Sequence, residues 1–143
     1  MACLRTLHDE LSAMLAELEA LTSQSSFDEA ALSNIRYRLS RVSGARRRLV
    51  ESLCVDLIAR GEPAEKLQAL RDGNAAARIA STAHIGAWTL AEVANDWAGY
   101  CRASATMRAR MRRQVEREKA VLYPHLALEP TDARAVLVRT AGN

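Results

Sequence analysis

The chain has 143 residues, which suits one domain with a core large enough to fold alone. It is 49% hydrophobic but only 4% aromatic, with six Gly and three Pro, a composition that argues against an all-β sandwich or barrel and against collagen-like repeats. The net charge of +3 is spread over 26% charged residues. This balance is not that of a dedicated nucleic-acid binder, so we do not expect a nucleic-acid partner.

No segment of the sequence resembles a membrane span or a signal peptide. The longest uncharged run, residues 79–91, is too short and too polar to cross a bilayer. Charged residues follow the N-terminus at once, which leaves no apolar signal core. We therefore expect a cytoplasmic protein without a membrane partner. Its three cysteines lack CxxC spacing and are predicted to be reduced, buried thiols.

Apolar side chains recur at steps of three and four from the N-terminus onward, which predicts a first amphipathic helix over residues 3–22. Ser26 stands three residues before Glu29, a capping box that opens a second helix over residues 27–60. This helix stops before Gly61, a residue suited to a left-handed C-terminal cap.

Two more helices are predicted in the second half of the chain. Pro63 suits the first turn of a third helix over residues 63–88, although its apolar stripe is weaker. Thr89 and Glu92 form a further capping box, which opens a fourth helix over residues 90–126.

Four amphipathic helices with short connections predict an all-α domain over residues 1–128, folded as an up-down-up-down antiparallel four-helix bundle. Residues 129–143 are expected to form a loosely packed tail or a short docking segment. Formal charge alternates along the chain: −5 over residues 1–30, +5 over 31–60, −2 over 61–100 and +5 over 101–143. In an antiparallel ring, each helix would then lie between helices of opposite sign.

The segment Gln114–Leu126 resembles the last helix of hemerythrin-like domains, in which a His is followed four residues later by Glu and then by Leu-Tyr-Pro-x-Leu. His8, with the leucine rhythm that follows it, resembles the first-helix ligand of that family. The resemblance covers roughly residues 1–128 and implies a hemerythrin-like bundle. In the family, such bundles hold a di-iron centre bound by several His and bridged by carboxylates.

Several ligand positions depart from the family pattern. Gln114 stands where the fourth-helix His is expected, while Glu118 keeps the acid. The second-helix pair falls near Ala45 and Leu49, and neither can bind a metal. The third helix offers His84. Because the chain has only three His, the full di-iron set cannot be built.

His8, Glu118 and His84 could still bind a single metal, and iron is the one that the resemblance implies. A continuous third helix, which we favour, would place His84 about 30 Å from the His8 end of the bundle. If the third helix instead restarted at Gly73-Asn74, His84 would lie close to His8 and Glu118. The competing interpretation makes His8 a partly exposed residue of the first turn, His84 a hydrogen-bonded interior residue and Glu118 a partner for an arginine, with no cofactor.

Arg46 lies close to the apolar stripe of the second helix, between Val42 and Leu49. At the level of Glu118, it could replace the lost metal charge with an internal ion pair. Arg46, Gln114 and Glu118 are therefore predicted to form an interior polar cluster.

Arginines are abundant on the second and fourth helices: Arg46, Arg47, Arg48, Arg108, Arg110, Arg112, Arg113 and Arg117. Such a set could bind phosphate, but we favour pairing with acidic helices one and three. Trp88, Trp97 and Tyr100 gather near one end of helices three and four. They are expected to pack in the core, with a small pocket or an interface as the alternative.

No nucleophile–base pair, phosphate-binding loop or acid–base pair of carboxylates is recognisable in the sequence. We therefore predict a non-enzymatic regulatory or protein-interaction module, with a protein partner or self-association. The alternative is a metal-binding sensor or storage protein that uses His8, Glu118 and His84.

Overall fold

Helices make up 88% of the part of the chain that the computed structural model describes, residues 3–126, and no strand occurs within it. The predicted all-α class is confirmed. Five α-helices and one 3₁₀ helix follow in order: α1 (Leu4–Thr22), α2 (Glu29–Ala59), α3 (Ala64–Ala87), α4 (Leu90–Asn95), α5 (Trp97–Leu122) and the 3₁₀ helix (Tyr123–His125). None of these helices is both long and apolar enough to cross a membrane. The predicted tail, residues 129–143, lies outside the described residues.

The N-terminus of α2 differs from the prediction. Asp28 is the N-cap, and its Oδ1 accepts a hydrogen bond from the Ala31 backbone N–H at 3.1 Å. The predicted capping box of Ser26 and Glu29 is therefore wrong. The carboxylate of Asp28 lies directly before the first helical residue, where a negative charge also favours the helix dipole.

The C-terminus of α2 closes as predicted. Gly61 has a φ of 93°, the left-handed conformation that glycine adopts without a Cβ penalty. Its N–H donates to the Ile58 carbonyl at 3.0 Å, and the Glu62 N–H donates to the Leu57 carbonyl at 3.1 Å. This pair of bonds is the Schellman motif, which satisfies two carbonyls at the helix end.

The predicted fourth helix is interrupted at Asp96. Thr89 caps α4 as predicted, with its side chain accepting from the Glu92 N–H at 3.3 Å. Asp96 then leaves the helical conformation, with φ −146° and ψ 74°, and its Oδ1 accepts from the Gly99 N–H at 2.9 Å. Because an aspartate side chain competes for nearby backbone N–H groups, it favours a new helix start over an interior position.

The core consists of two apolar clusters. One contains Leu11, Leu15, Leu18, Leu32, Ile35, Leu39, Val93, Tyr100 and Val115. The other contains Leu4, Val50, Cys54, Leu57, Leu67, Leu70 and Leu122. On α1, α2 and α5 alike, a buried polar residue stands between the two clusters: His8, Arg46 and Glu118. The apolar stripes therefore enclose a polar layer.

α1 and α3 each pack against both α2 and α5. Trp97, at the start of α5, donates from Nε1 to the Gln24 carbonyl just beyond the end of α1, at 3.1 Å. Tyr123, just after α5, lies against His8 near the start of α1. These contacts show that α5 runs antiparallel to α1.

α3 is well anchored only in its first half. It is one continuous helix through Gly73, as favoured from the sequence, and its buried residues are Leu67, Leu70 and Asn74. None of residues 75–87 is buried, and Ile79 remains 72% exposed. The second half of α3 therefore has few apolar contacts to hold it in place.

We expect Asp96→Ala to lower the free energy of unfolding by about 1 kcal/mol, because it removes the acceptor that caps α5. Urea denaturation followed by circular dichroism measures the change. Asp96→Ser, which keeps an acceptor, is the matched control and should stay close to the wild type. Equal destabilisation by both variants would contradict a capping role.

Candidate functional site

The carboxylate of Glu118 lies at the centre of the polar layer and has no exposed surface. His8 donates from Nε2 to Oε1 at 2.8 Å, and Gln114 donates from Nε2 to Oε2 at 3.1 Å. The Arg46 guanidinium donates from Nη1 to the same Oε2. These donors are themselves no more than 2% exposed. Residues of three helices thus converge on one buried carboxylate.

A second set of side chains supports these donors. The second ring nitrogen of His8, Nδ1, shares a hydrogen bond of 2.7 Å with the Tyr123 hydroxyl. The Arg5 guanidinium stacks over the Tyr123 ring, 4.4 Å from its centre. Arg117 donates from Nη2 to Oε1 of Gln114 at 3.1 Å, which orients the amide so that its NH₂ faces Glu118. These contacts therefore fix the orientation of two of the donors, His8 and Gln114.

The electrostatics of the cluster favour an ionised Glu118. Burial by itself raises the pKa of this carboxyl, but the hydrogen bond from His8 and the charge of Arg46 oppose it. Together with the hydrogen bonds from Arg46 and Gln114, they hold the pKa of Glu118 below its ordinary value. The interior thus holds a compensated pair of charges.

The structure brings together the residues of the predicted interior cluster, Arg46, Gln114 and Glu118, and adds His8 to them. His8 is 1% exposed, so the interpretation of it as a partly exposed residue of the first turn is wrong. It does not bring His84 to them. The His84 ring packs against Tyr100, with ring centres 5.8 Å apart. Tyr100 and Glu118 lie on the same helix and are separated by about 27 Å along its axis.

The predicted metal set of His8, Glu118 and His84 is therefore not assembled, because α3 runs without a restart at Gly73. More generally, residues 3–126 contain no group of three or more His, Cys, Asp or Glu side chains placed to hold a metal ion.

His84 instead lies on the wall of two adjoining cavities between α2, α3 and α5, with volumes of about 250 and 260 Å³. The residues shared by both linings are Ser43, Arg47, Ser81, His84, Met107 and Met111. Burial and the nearby Arg36 guanidinium lower the pKa of His84, so its imidazole is neutral at pH 7. The sequence did not predict these cavities. The available signal was the set of Ala, Ser and Thr residues that dominates residues 75–83.

The arginines of α5 are paired on one side only. Arg112 forms an ion pair with Glu19 of α1, with an N–O distance of 3.4 Å. On the α3 side, Arg110 and Arg113 have no ion-pair partner among the described residues. The predicted pairing with an acidic third helix is therefore wrong there, because residues 73–91 contain no Asp or Glu.

The three predicted aromatic residues are brought together. The ring centres of Trp88 and Trp97 lie 5.7 and 5.9 Å from that of Tyr100. Tyr100 belongs to the buried core and lines one of the cavities, while both tryptophans pack against the same core cluster. Of the three, Tyr100 alone contacts a cavity, and the group as a whole packs in the core.

Comparisons of the chain with protein-family models, with curated proteins and with solved structures found no match.

Glu118→Gln is expected to lower the free energy of unfolding at pH 7 by about 3–5 kcal/mol, because it leaves the Arg46 guanidinium buried without a counter-charge. In the wild type, the pKa of Glu118 is lower in the folded chain than its unfolded value of about 4.3. The stabilisation is therefore present above pH 4.3 and is lost as the pH falls through the folded pKa. Urea denaturation should show a large difference in the free energy of unfolding between the wild type and the variant at pH 7. Below pH 4 that difference should become smaller.

The matched control is Glu116→Gln, which removes a carboxylate that is 72% exposed on the same helix. We expect it to change stability by less than about 0.5 kcal/mol at either pH. A constant difference between Glu118→Gln and the wild type across the acidic range would contradict an ionised, paired Glu118.

Proposed function

We propose that the chain is a hemerythrin-like bundle in which an internal ion pair replaces the metal centre, and that it acts as a non-enzymatic regulatory or protein-interaction module. The observation that carries the proposal is the buried pair of Arg46 and Glu118, with His8 on the second carboxylate oxygen. In the hemerythrin-like pattern, His8 and Glu118 occupy ligand positions, and here both are engaged by protein partners.

An up-down-up-down arrangement of four long helices is part of this proposal. It is supported by the packing of α1 and α3 against both α2 and α5, and by the antiparallel contacts between α1 and α5. The short helix α4 leads into α5, so the two together would supply the fourth element of the bundle.

The donor set does not fit a di-iron centre. A transition metal needs several neutral imidazoles and carboxylates with free lone pairs. Here Nε2 of His8 donates to Glu118, and Oε2 of Glu118 already accepts from both Arg46 and Gln114. A cation that entered the cluster would also meet the positive charge of the buried guanidinium.

The second half of α3 supports the regulatory or interaction role. Ile79 and Ile85 are 72% and 46% exposed there, and cavities separate this part of the helix from its neighbours. Arg47, Arg78 and Arg110 lie around it, so a second copy of the chain would bring like charges together. An acidic protein partner fits this surface better than self-association.

Loss of the metal centre is tested by purifying the chain without chelator and measuring its metal content and absorption spectrum, before and after incubation with Fe²⁺ in air. We expect far less than one iron per chain and no oxo-bridge band, while circular dichroism shows intact helices. Stoichiometric iron with that band, lost in both His8→Gln and Glu118→Gln, would overturn the proposal in favour of a metal-binding sensor or storage protein.

A further inference from the structure

The two cavities beneath the second half of α3 have strongly cationic walls. Arg46, Arg47 and Arg110 line one cavity, and Arg36, Arg47 and Arg78 line the other. No Asp or Glu belongs to either lining within residues 3–126. Five arginines thus line a space whose described walls contain no carboxylate.

Several of these guanidinium groups have unused hydrogen-bonding capacity. Nε of Arg46, which is 2% exposed, and Nη1 of Arg36 are buried without a hydrogen-bond partner. Burial lowers the pKa of Arg47, and the charges of Arg46 and Arg78 lower it further. A buried guanidinium N–H without an acceptor is costly, and an anion within reach of these two N–H groups would relieve that cost.

Small and flexible apolar side chains line part of each cavity. Ala77, Ala80 and Ala103 leave the space open, and Met107 and Met111 line both cavities. Methionine side chains are flexible and polarizable, so they adjust to ligands of different shape. The combination of an apolar wall with a few polar and charged groups is the usual form of a small-molecule site.

We propose that the adjoining cavities bind one small amphipathic anion, an organic carboxylate or a phosphate monoester with a short apolar body. Its charged head would lie among Arg36, Arg47 and Arg78, close to His84. Its body would lie against the alanine and methionine wall. Volumes of about 250 and 260 Å³ suit a body of medium length better than a long lipid chain.

Such a ligand would act on the least anchored part of the fold. Residues 75–87 of α3 contribute no buried side chain of their own, so a ligand beneath them would add the contacts that this half of the helix lacks. The inference deepens the proposed regulatory role by naming a ligand class, but the two are tested separately. Iron bound in the bundle would contradict the proposal that the metal centre has been lost, but it would not contradict the anion site.

The site is tested by isothermal titration with octanoate, octyl phosphate and octanol, which share one apolar body and differ in the head. We expect one saturable site for at least one anion, and binding of octanol weaker by about tenfold or more. If octyl phosphate binds more tightly than octanoate, the head is a phosphate, and the reverse order identifies a carboxylate. Equal binding of octanol, or no saturable binding of either anion, would overturn the proposal.

Variants locate the site. Arg47→Met should weaken binding of the preferred anion by about tenfold, while Arg102→Met, which removes an exposed arginine outside both linings, should leave it unchanged. Ala103→Leu fills one cavity and should abolish binding without lowering the melting temperature. Undiminished binding to Ala103→Leu would place the ligand elsewhere and overturn the assignment.

The pKa of the His84 imidazole provides an independent test of where the charged head lies. Arg36 lies close enough to lower its pKa, and the Tyr100 ring packs against it. The other charged residues that line the two cavities with it are also cationic: Arg46, Arg47, Arg78 and Arg110. A bound anion near them should raise the pKa of His84 in an NMR titration. An unchanged His84 titration at saturating anion would contradict the proposed position of the head.

Discussion

The carboxylate of Glu118 must be compensated wherever it is buried, and this requirement fixes how three helices align. α1 must present His8, α2 must present Arg46 and α5 must present Gln114 at the same level. A shift of one helix by a single turn would move a donor by about 5.4 Å and leave a charge without its partner. The apolar stripes above and below the layer tolerate such a shift more easily. The polar layer therefore sets the register in which the helices pack.

α3 meets this layer by close approach at Gly73, and beside it Asn74 donates from Nδ2 to the Arg47 carbonyl of α2 at 3.1 Å. A Cβ at Gly73 would lie 3.1 Å from Oε1 of Gln114, so the glycine allows α3 to approach α5 next to the buried amide. Beyond that point α3 has small side chains and no acid, while α2 and α5 keep their arginines. The second half of α3 therefore covers its neighbours without filling the space between them, which explains why the cavities and the uncompensated charge occur together.

Local signals in the sequence predicted much of this fold. The leucine stripes, the cap at Gly61 and the cap at Thr89 depend on residues within one or two turns of each other. The position of Arg46 close to an apolar stripe was enough to predict its pairing with Glu118. The interruption at Asp96 was missed because the apolar stripe continues across it. The cavities were missed because empty volume depends on how several helices meet, which no single stripe encodes.

The hydrogen bond between His8 and Glu118 joins residues 110 positions apart, and that between His8 and Tyr123 spans 115. During synthesis, α1 leaves the ribosome long before its polar partners on α5 exist. Until then, His8 lacks its hydrogen-bond acceptor and the guanidinium of Arg46 lacks its counter-charge, so the α1–α2 pair carries an unmatched charge in its apolar seam. The polar layer can therefore close only after the last turns of α5 have been made, which places its formation late in synthesis.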